Sequence, residues 1–168
     1  MSLTWNAVQG FYSREPLEYL ARAQELGLQW PLDVFEQIFI DHHDDAEFAQ
    51  VVGSIDWSMI QWREKPLSGA ALRNVGVPRA YQHAVDEARG RTVNQGFRDE
   101  RPEVMAYWQD AKTWMHSPIV LAGDFFQTTL QYELIVGFTR LGNILGTLDR
   151  QDIPESARHS VWYGQNFA

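Results

Sequence analysis

Cysteine is absent from the 168 residues of this chain. Disulfide bonds, thiol nucleophiles and zinc–thiolate centres are therefore excluded. Long apolar runs are absent as well, since no segment approaches the roughly 18 consecutive apolar residues of a membrane-spanning helix. Residues 1–6 have neither the basic start nor the apolar stretch of a secretory signal. From these absences we expect a cytoplasmic protein that does not bind membranes.

Positive charge is scarce in this chain. It has 14 Lys and Arg against 22 Asp and Glu, which gives a formal net charge of −8. Nonspecific nucleic-acid binding depends on neutralising phosphates, so this balance argues against it. Hydrophobic residues make up 45% of the chain and aromatic residues 13%, which is enough for a buried core at this length. We therefore expect a single domain over residues 1–168.

The apolar spacing along the chain predicts an α+β protein. Helical patterns dominate the first two-thirds of the sequence. Short strands are predicted near residues 55–60, 118–121, 132–136 and 159–163. Mixing without regular alternation is typical of a small mixed sheet with several helices. Residues 1–53 are expected to form a helical extension and residues 54–168 the core. The polar stretch Gly90–Arg98 is expected to be a mobile loop.

The segment Tyr132–Gly146 is the most informative one, because it is predicted to form a buried strand, a glycine turn and a helix. The apolar residues after the turn have the spacing of a helix with one buried face: Leu141, Ile144, Leu145 and Leu148. Arg140 therefore falls in the first helical turn, where backbone N–H groups lack intrahelical acceptors and the helix dipole adds roughly half a positive charge. An arginine at such an end is typical of an anion site.

This turn also carries a family resemblance. Val136-Gly137-Phe138-Thr139-Arg140-Leu141, set between a strand and a helix, resembles the strand–Gly-x-x-Arg–helix signature of the ParB/sulfiredoxin superfamily. Pro118–Leu121 resembles the preceding strand of that fold and His159–Tyr163 its closing strand. The resemblance covers roughly residues 54–164. It implies a ParB/sulfiredoxin-like fold that binds a nucleotide or another phosphate ligand, with magnesium as the accompanying ion.

The resemblance also implies roles for individual residues of the turn. Arg140 would hold the phosphate, Gly137 would let the backbone approach it, and Thr139 would cap the helix or donate a hydrogen bond. The chain departs from the family at Phe138, where many relatives have His or Glu, so a polar group is lost there. Without a cysteine in the turn, sulfiredoxin chemistry is excluded.

Nearby carboxylates leave two alternatives open for Arg140. An internal ion pair with Asp56, Asp124 or Glu133 would make Arg140 structural, because arginine serves both uses. Alternatively, Asp124 or Asp56 beside a bound phosphate would act as a catalytic base or hold magnesium. Each also fits a plainer role, Asp124 in a turn and Asp56 on the solvent side of a strand.

A second candidate for chemistry is the segment Asp41-His42-His43-Asp44-Asp45. Imidazole nitrogens and carboxylate oxygens bind divalent metals, and an Asp-His-His after an apolar segment resembles the motif of the DHH phosphoesterases. Those enzymes need further ligands from other strands. The alternative is a polar loop in which Asp44 or Asp45 caps the next helix.

The sequence thus leaves three hypotheses for function. The leading one is phosphate or nucleotide binding at Gly137–Arg140, with phosphoryl transfer or phosphodiester hydrolysis as the chemistry if the protein is an enzyme. The second is a noncatalytic interaction module, a regulator or toxin antidote, whose acidic and aromatic surface would include Trp62. The third is a metal phosphoesterase built on Asp41–Asp45.

Overall fold

The computed structural model describes residues 2–167, which form two compact units. The first unit contains the residues up to Trp62 and the segment from Gly164 onward, and the second is Arg63–Tyr163. Helices and a sheet are both present, so the mixed α and β composition predicted from the sequence is confirmed. Among residues 2–167, no helix is long and apolar enough to cross a bilayer.

The first unit is mostly helical. Its elements are α1 (Trp5–Gln9), α2 (Pro16–Glu25), α3 (Leu32–Phe35), a π-helical turn (Glu36–Ile40), α4 (Ala46–Val52) and a 3-10 turn (Trp57–Met59). Its core is built largely from aromatic rings: Trp5, Tyr19, Trp30, Phe35, Phe39, Phe48 and Trp57. The hydroxyl of Tyr19 donates to the carbonyl of Val8 at 3.1 Å. Burial, together with the neighbouring Tyr12, raises the pKa of Tyr19.

The second unit holds most of the sheet and the longest helices. Its elements are β1 (Ile60–Ser68, which begins in the first unit), α5 (Gly69–Leu72), a 3-10 turn (Arg79–Tyr81), α6 (Gln82–Gln95), α7 (Pro102–Ala111), β2 (Ile119–Ala122), a 3-10 turn (Gly123–Phe126), β3 (Tyr132–Val136), α8 (Phe138–Asp149) and β4 (Arg158–Asn166, which ends in the first unit).

The strands form one four-stranded sheet in the order β1-β4-β2-β3. β2 and β3 are antiparallel, with Ile119 opposite Val136 and Ala122 opposite Tyr132. The strands predicted near 118–121, 132–136 and 159–163 correspond to β2, β3 and β4. This register decides which side chains lie close to the Gly137 turn, because Val136 is the last residue of β3.

The strand predicted over residues 55–60 is wrong in position. Asp56 accepts hydrogen bonds from the N–H and hydroxyl of Ser58 at 3.1 and 2.6 Å, which starts the 3-10 turn at Trp57 instead. The strand runs over Ile60–Ser68 and passes through Pro66. Because β1 is an edge strand, the missing N–H of Pro66 can be accommodated.

Helix α8 is the buried centre of the second unit and packs closely against α6. The predicted apolar residues Leu141, Ile144, Leu145 and Leu148 are all buried, but so is every residue between them, so the helix is buried on all sides and not on one face alone. A Cβ at Gly142 would lie 2.4 Å from the carbonyl oxygen of Val85 and 2.7 Å from Ala88 Cβ. Thr92 Oγ1 also donates to Asn143 Oδ1 at 3.1 Å inside this contact. The two helices therefore meet at backbone distance.

The mobile loop predicted over Gly90–Arg98 is wrong for residues 90–95, because α6 continues to Gln95 through Gly90. The buried residues Val85, Ala88 and Thr92 follow helical spacing and face the packed side of α6. The polar composition that indicated a loop belongs to the exposed side of this helix. Packing against α8 thus outweighs the local cost of a glycine in the helix interior, about 1 kcal/mol.

Candidate functional site

The predicted turn is formed by Gly137, which links β3 to α8. Gly137 has a φ of +97°, in the left-handed region, and occupies the N-cap position of the helix. A Cβ there would lie 2.7 Å from Pro118 Cβ and 3.1 Å from Arg140 Nε. Glycine is therefore required both by the backbone conformation and by the close approach of two side chains.

Arg140 lies in the first turn of α8, as predicted, and its guanidinium folds back over Gly137. Its Nη1 donates to the backbone carbonyl of His116 at 2.8 Å. The side chain is half-buried. The positive group is thereby held beside the helix end, where the N–H groups of residues 138 and 139 have no acceptor within the helix.

Phe138 occupies the position where many members of the resembled family have a polar residue. Its ring is buried and stacks on Tyr81, with the centroids 4.2 Å apart and the planes 5° apart. The side chain therefore belongs to the core of the second unit. The turn offers no polar side chain at this position for acid–base chemistry.

Thr139 is exposed on the first turn of α8. Because the helix begins at Phe138 and its N-cap is Gly137, the expectation that Thr139 caps the helix is wrong. Its hydroxyl lies at the same helix end as Arg140, so the alternative role of donating to a bound ligand stays a prediction.

Asp124 follows β2 in the 3-10 turn Gly123–Phe126 and is exposed. In the register of the hairpin, this turn lies beyond Ala122, which is opposite the first residue of β3, whereas Gly137 follows the last one. The two ends are about 10 Å apart along the strand direction, from three steps of about 3.4 Å. The role of Asp124 as a base or metal ligand for a phosphate at the turn stays a prediction.

Asp56 belongs to the first unit, whereas Arg140 belongs to the second. Its carboxylate accepts from the N–H of Leu3 at 3.0 Å, in addition to the two bonds from Ser58. Burial raises the pKa of Asp56, but the hydrogen bonds from Ser58, Leu3 and Ser2 outweigh it, so the pKa lies below its usual value. These contacts give Asp56 a capping role at the Trp57 turn.

Glu133, the third carboxylate considered for Arg140, is buried on β3. It accepts from Thr128 Oγ1 at 3.1 Å. Its carboxylate also fills the space beside Gly76, where a Cβ would lie 2.2 Å from Oε2. The backbone of Gly76 bonds β3 on both sides of Glu133, through Tyr132 and Leu134 at 2.8 Å each. Glu133 therefore helps to join Gly76 to the sheet.

The segment Asp41–Asp45 has the capping role that the sequence allowed. Asp45 Oδ1 accepts from the N–H of Phe48 at 2.9 Å at the start of α4, and its Oδ2 lies 3.1 Å from His42 Nδ1. The ring of His43 stacks on Tyr12 with centroids 4.4 Å apart. Within residues 2–167, no group of three or more His, Asp or Glu is arranged to hold a metal.

The side chain of Trp62, in the first unit, is half-buried. Its ring packs edge-on against Trp30, with centroids 5.1 Å apart and planes 77° apart. Its indole nitrogen is buried and has no hydrogen-bond partner within residues 2–167. The contact with Trp30 therefore buries part of the Trp62 ring inside the first unit.

An ion-pair network at the other end of α8 was not predicted from the sequence. Arg73 contacts Asp149 at 2.8 Å and Glu155 at 2.7 Å, and Arg89 contacts Asp149 at 2.6 Å. Hydrogen bonds from Arg89, and then from Arg73, hold the pKa of Asp149 below its usual value despite partial burial. An open cavity of about 580 Å³ lies beside Arg73 and Ile153. The partners are far apart in sequence, so no local pattern could have indicated them.

Comparison with known proteins identifies no relative of the chain. No protein-family model, no curated protein and no solved structure matches it.

Proposed function

We propose that the protein binds a phosphate-bearing small molecule, a nucleotide in the first instance, at Gly137–Arg140. The observation that carries the proposal is the position of Arg140, whose guanidinium lies over Gly137 and is held by the His116 carbonyl at the N-terminus of α8. A fixed guanidinium beside backbone N–H groups and the positive end of a helix dipole suits a phosphate in charge and in hydrogen-bond geometry. Glycine at the turn lets the Arg140 side chain lie directly against the backbone at this helix end.

The order of elements around the turn supports a ParB/sulfiredoxin-like arrangement of the second unit. β2 pairs with β3, β3 leads through Gly137 into a buried helix, and β4 lies beside β2 in the sheet. The preceding strand, the Gly-x-x-Arg turn, the helix and the closing strand thus follow one another along the chain as in the resembled motif. The proposed ligand would lie at the junction of β3 and α8.

We propose ligand binding as the function of this turn, with no catalytic role for Phe138. Phe138 is buried against Tyr81. It therefore supplies neither a base nor a metal ligand to a phosphate beside Arg140, and the catalytic role of Asp124 stays a prediction. The burial of Phe138 also favours the second candidate function, a noncatalytic interaction module, in which the turn is retained for folding alone.

A thermal-shift panel of nucleoside mono-, di- and triphosphates, with and without magnesium, tests the proposal. A ligand at about 100 times its Kd adds about 2.7 kcal/mol to the free energy of unfolding. At about 2–4 °C per kcal/mol for a chain of this size, Tm should rise by about 5–10 °C. We expect this rise in the wild type and not in Arg140→Ala.

Two further variants separate binding from folding. Arg91→Ala removes the same charge from the exposed side of α6 and should keep the full shift. Arg140→Lys keeps the charge but loses the planar fork, so a folded Arg140→Lys protein should bind more weakly. A wild type that responds to no nucleotide would refute the proposal and favour the interaction module.

A further inference from the structure

The segment 112–118, which connects α7 to β2, has no regular secondary structure. It begins at Lys112, whose φ of +54° turns the chain out of the helix. Its conformation is set by contacts with β4. Thr113 Oγ1 lies 2.8 Å from His159 Nδ1, and the indole N–H of Trp114 donates to the carbonyl of Ser160 at 2.6 Å. We call residues 112–118 the connecting segment.

The same segment supplies two contacts of the proposed phosphate site. The carbonyl of His116 accepts from Arg140 Nη1 at 2.8 Å, and the side chain of Pro118 packs beside Gly137. The N–H of Trp162 donates to the carbonyl of Pro118 at 2.9 Å, which ties this end of the segment to β4 as well. The position of the Arg140 guanidinium therefore depends on where the connecting segment lies.

His159 is an unusual residue for its place in β4. It is only 1% exposed, and its Nε2 is buried without a hydrogen-bond partner within residues 2–167. Burying a polar atom without a hydrogen bond lowers the stability of the folded state. An apolar side chain of similar size would avoid that cost. What the imidazole supplies, and an apolar residue could not, is the contact of Nδ1 with Thr113.

We propose that Thr113 and His159 are positioning residues for Arg140. Their contact fixes the start of the connecting segment against β4, so that the His116 carbonyl meets the guanidinium at the helix end. β4 thereby fixes the position of the connecting segment, and the connecting segment fixes the position of the Arg140 guanidinium at the turn. The expected effect on ligand affinity rests on the proposed phosphate-binding function. The expected effect on the position of the Arg140 side chain does not.

The test compares Thr113→Val with Thr113→Ser. Valine has nearly the shape of threonine without the hydroxyl, and serine keeps the hydroxyl. The first readout is the rate at which phenylglyoxal modifies Arg140, followed by mass spectrometry, with exposed Arg91 as the internal reference. We expect Thr113→Val to raise the modification rate of Arg140 by roughly 2- to 10-fold. This range corresponds to the net free energy of one lost hydrogen bond. Thr113→Ser should stay near wild type, and Arg91 should react equally in all three.

The second readout is the affinity for inorganic phosphate, and for any nucleotide that shifts the wild-type Tm. Thr113→Val should weaken it by a similar factor while Thr113→Ser retains it. If no phosphate compound binds the wild type, the proposed function fails, yet the labelling rates still decide the positioning role. Unchanged Arg140 labelling in a folded Thr113→Val protein would overturn the inference.

His159→Asn and His159→Leu provide an independent pair on the other side of the contact. Asparagine places a polar atom near the position of Nδ1, whereas leucine has none. Leucine should therefore raise the Arg140 labelling rate and asparagine should raise it less. In the His159→Leu background, adding Thr113→Val should have little further effect, because the contact is already lost. Equal labelling in His159→Leu and His159→Asn, or additive effects of the two substitutions, would contradict the inference.

Discussion

Replacing Gly142 by alanine tests the contact between α6 and α8. The added Cβ would lie 2.4 Å from the carbonyl oxygen of Val85, which is about 1 Å inside the 3.4 Å at which ordinary contacts begin. It would also lie 2.7 Å from Ala88 Cβ and 3.1 Å from the backbone N of Arg89. Two of these three neighbours are backbone atoms of a helix, so the strain cannot be relieved by rotating a side chain.

The expected loss of stability follows from two opposing effects. Overpacking of a close contact typically costs about 1–3 kcal/mol, and the short distance to a backbone oxygen favours the upper end. Alanine regains up to about 1 kcal/mol relative to glycine in a helix. We therefore expect the free energy of unfolding to fall by about 2 kcal/mol, with Tm lower by about 4–8 °C.

Gly90→Ala is the matched control, because Gly90 lies inside α6 and no atom of residues 2–167 beyond the adjacent backbone of that helix lies within 4 Å of an added Cβ. The same substitution should there stabilise the protein by about 0.5–1 kcal/mol. Urea unfolding followed by circular dichroism measures both variants. If Gly142→Ala were as stable as the wild type or more so, the close approach of the two helices would be wrong.

Two further predictions concern the histidine in β4 and the cap of α4. Burial lowers the pKa of His159. The stability that neutral His159 contributes is therefore complete above the unfolded pKa of about 6.5 and is lost as pH falls below it through the folded pKa. His159→Asn should flatten the fall of Tm below about pH 6.5, and an unchanged fall in the folded variant would contradict this. Asp45→Ala removes the cap on the N–H of Phe48 and should lower the free energy of unfolding in urea by about 1 kcal/mol. Asp44→Ala should leave the urea midpoint unchanged, and equal effects of the two substitutions would refute the capping role.

Local patterns predicted the elements of the second unit that have clear apolar spacing. β2, β3 and α8 lie within about a residue of their predicted positions, because Leu141 and Ile144 follow helical periodicity and β3 ends in the apolar run 134–136. The edge strand β1 was misplaced, since the apolar Ile55, Trp57 and Met59 alternate as in a strand. Their backbone is instead set by a side-chain cap, which periodicity does not detect.

For the candidate site, the sequence predicted the turn but not its surroundings. Gly137 and Arg140 lie where the strand–turn–helix pattern placed them. The contacts of Arg140 with His116, and of Thr113 with His159, join segments far apart along the chain. Nothing in the local sequence distinguishes these residues.

The first unit is built from two separate stretches of the chain, and this affects the order in which the units fold. The N–H of Phe167 donates to the carbonyl of Met59 at 3.1 Å, and both residues belong to this unit although all of the second unit lies between them along the chain. The second unit is continuous in sequence, so it can fold as soon as it has been synthesised. The first unit must wait for its last segment and bear the entropy of closing a long loop. We therefore expect the second unit to gain protection from hydrogen exchange before the first during refolding.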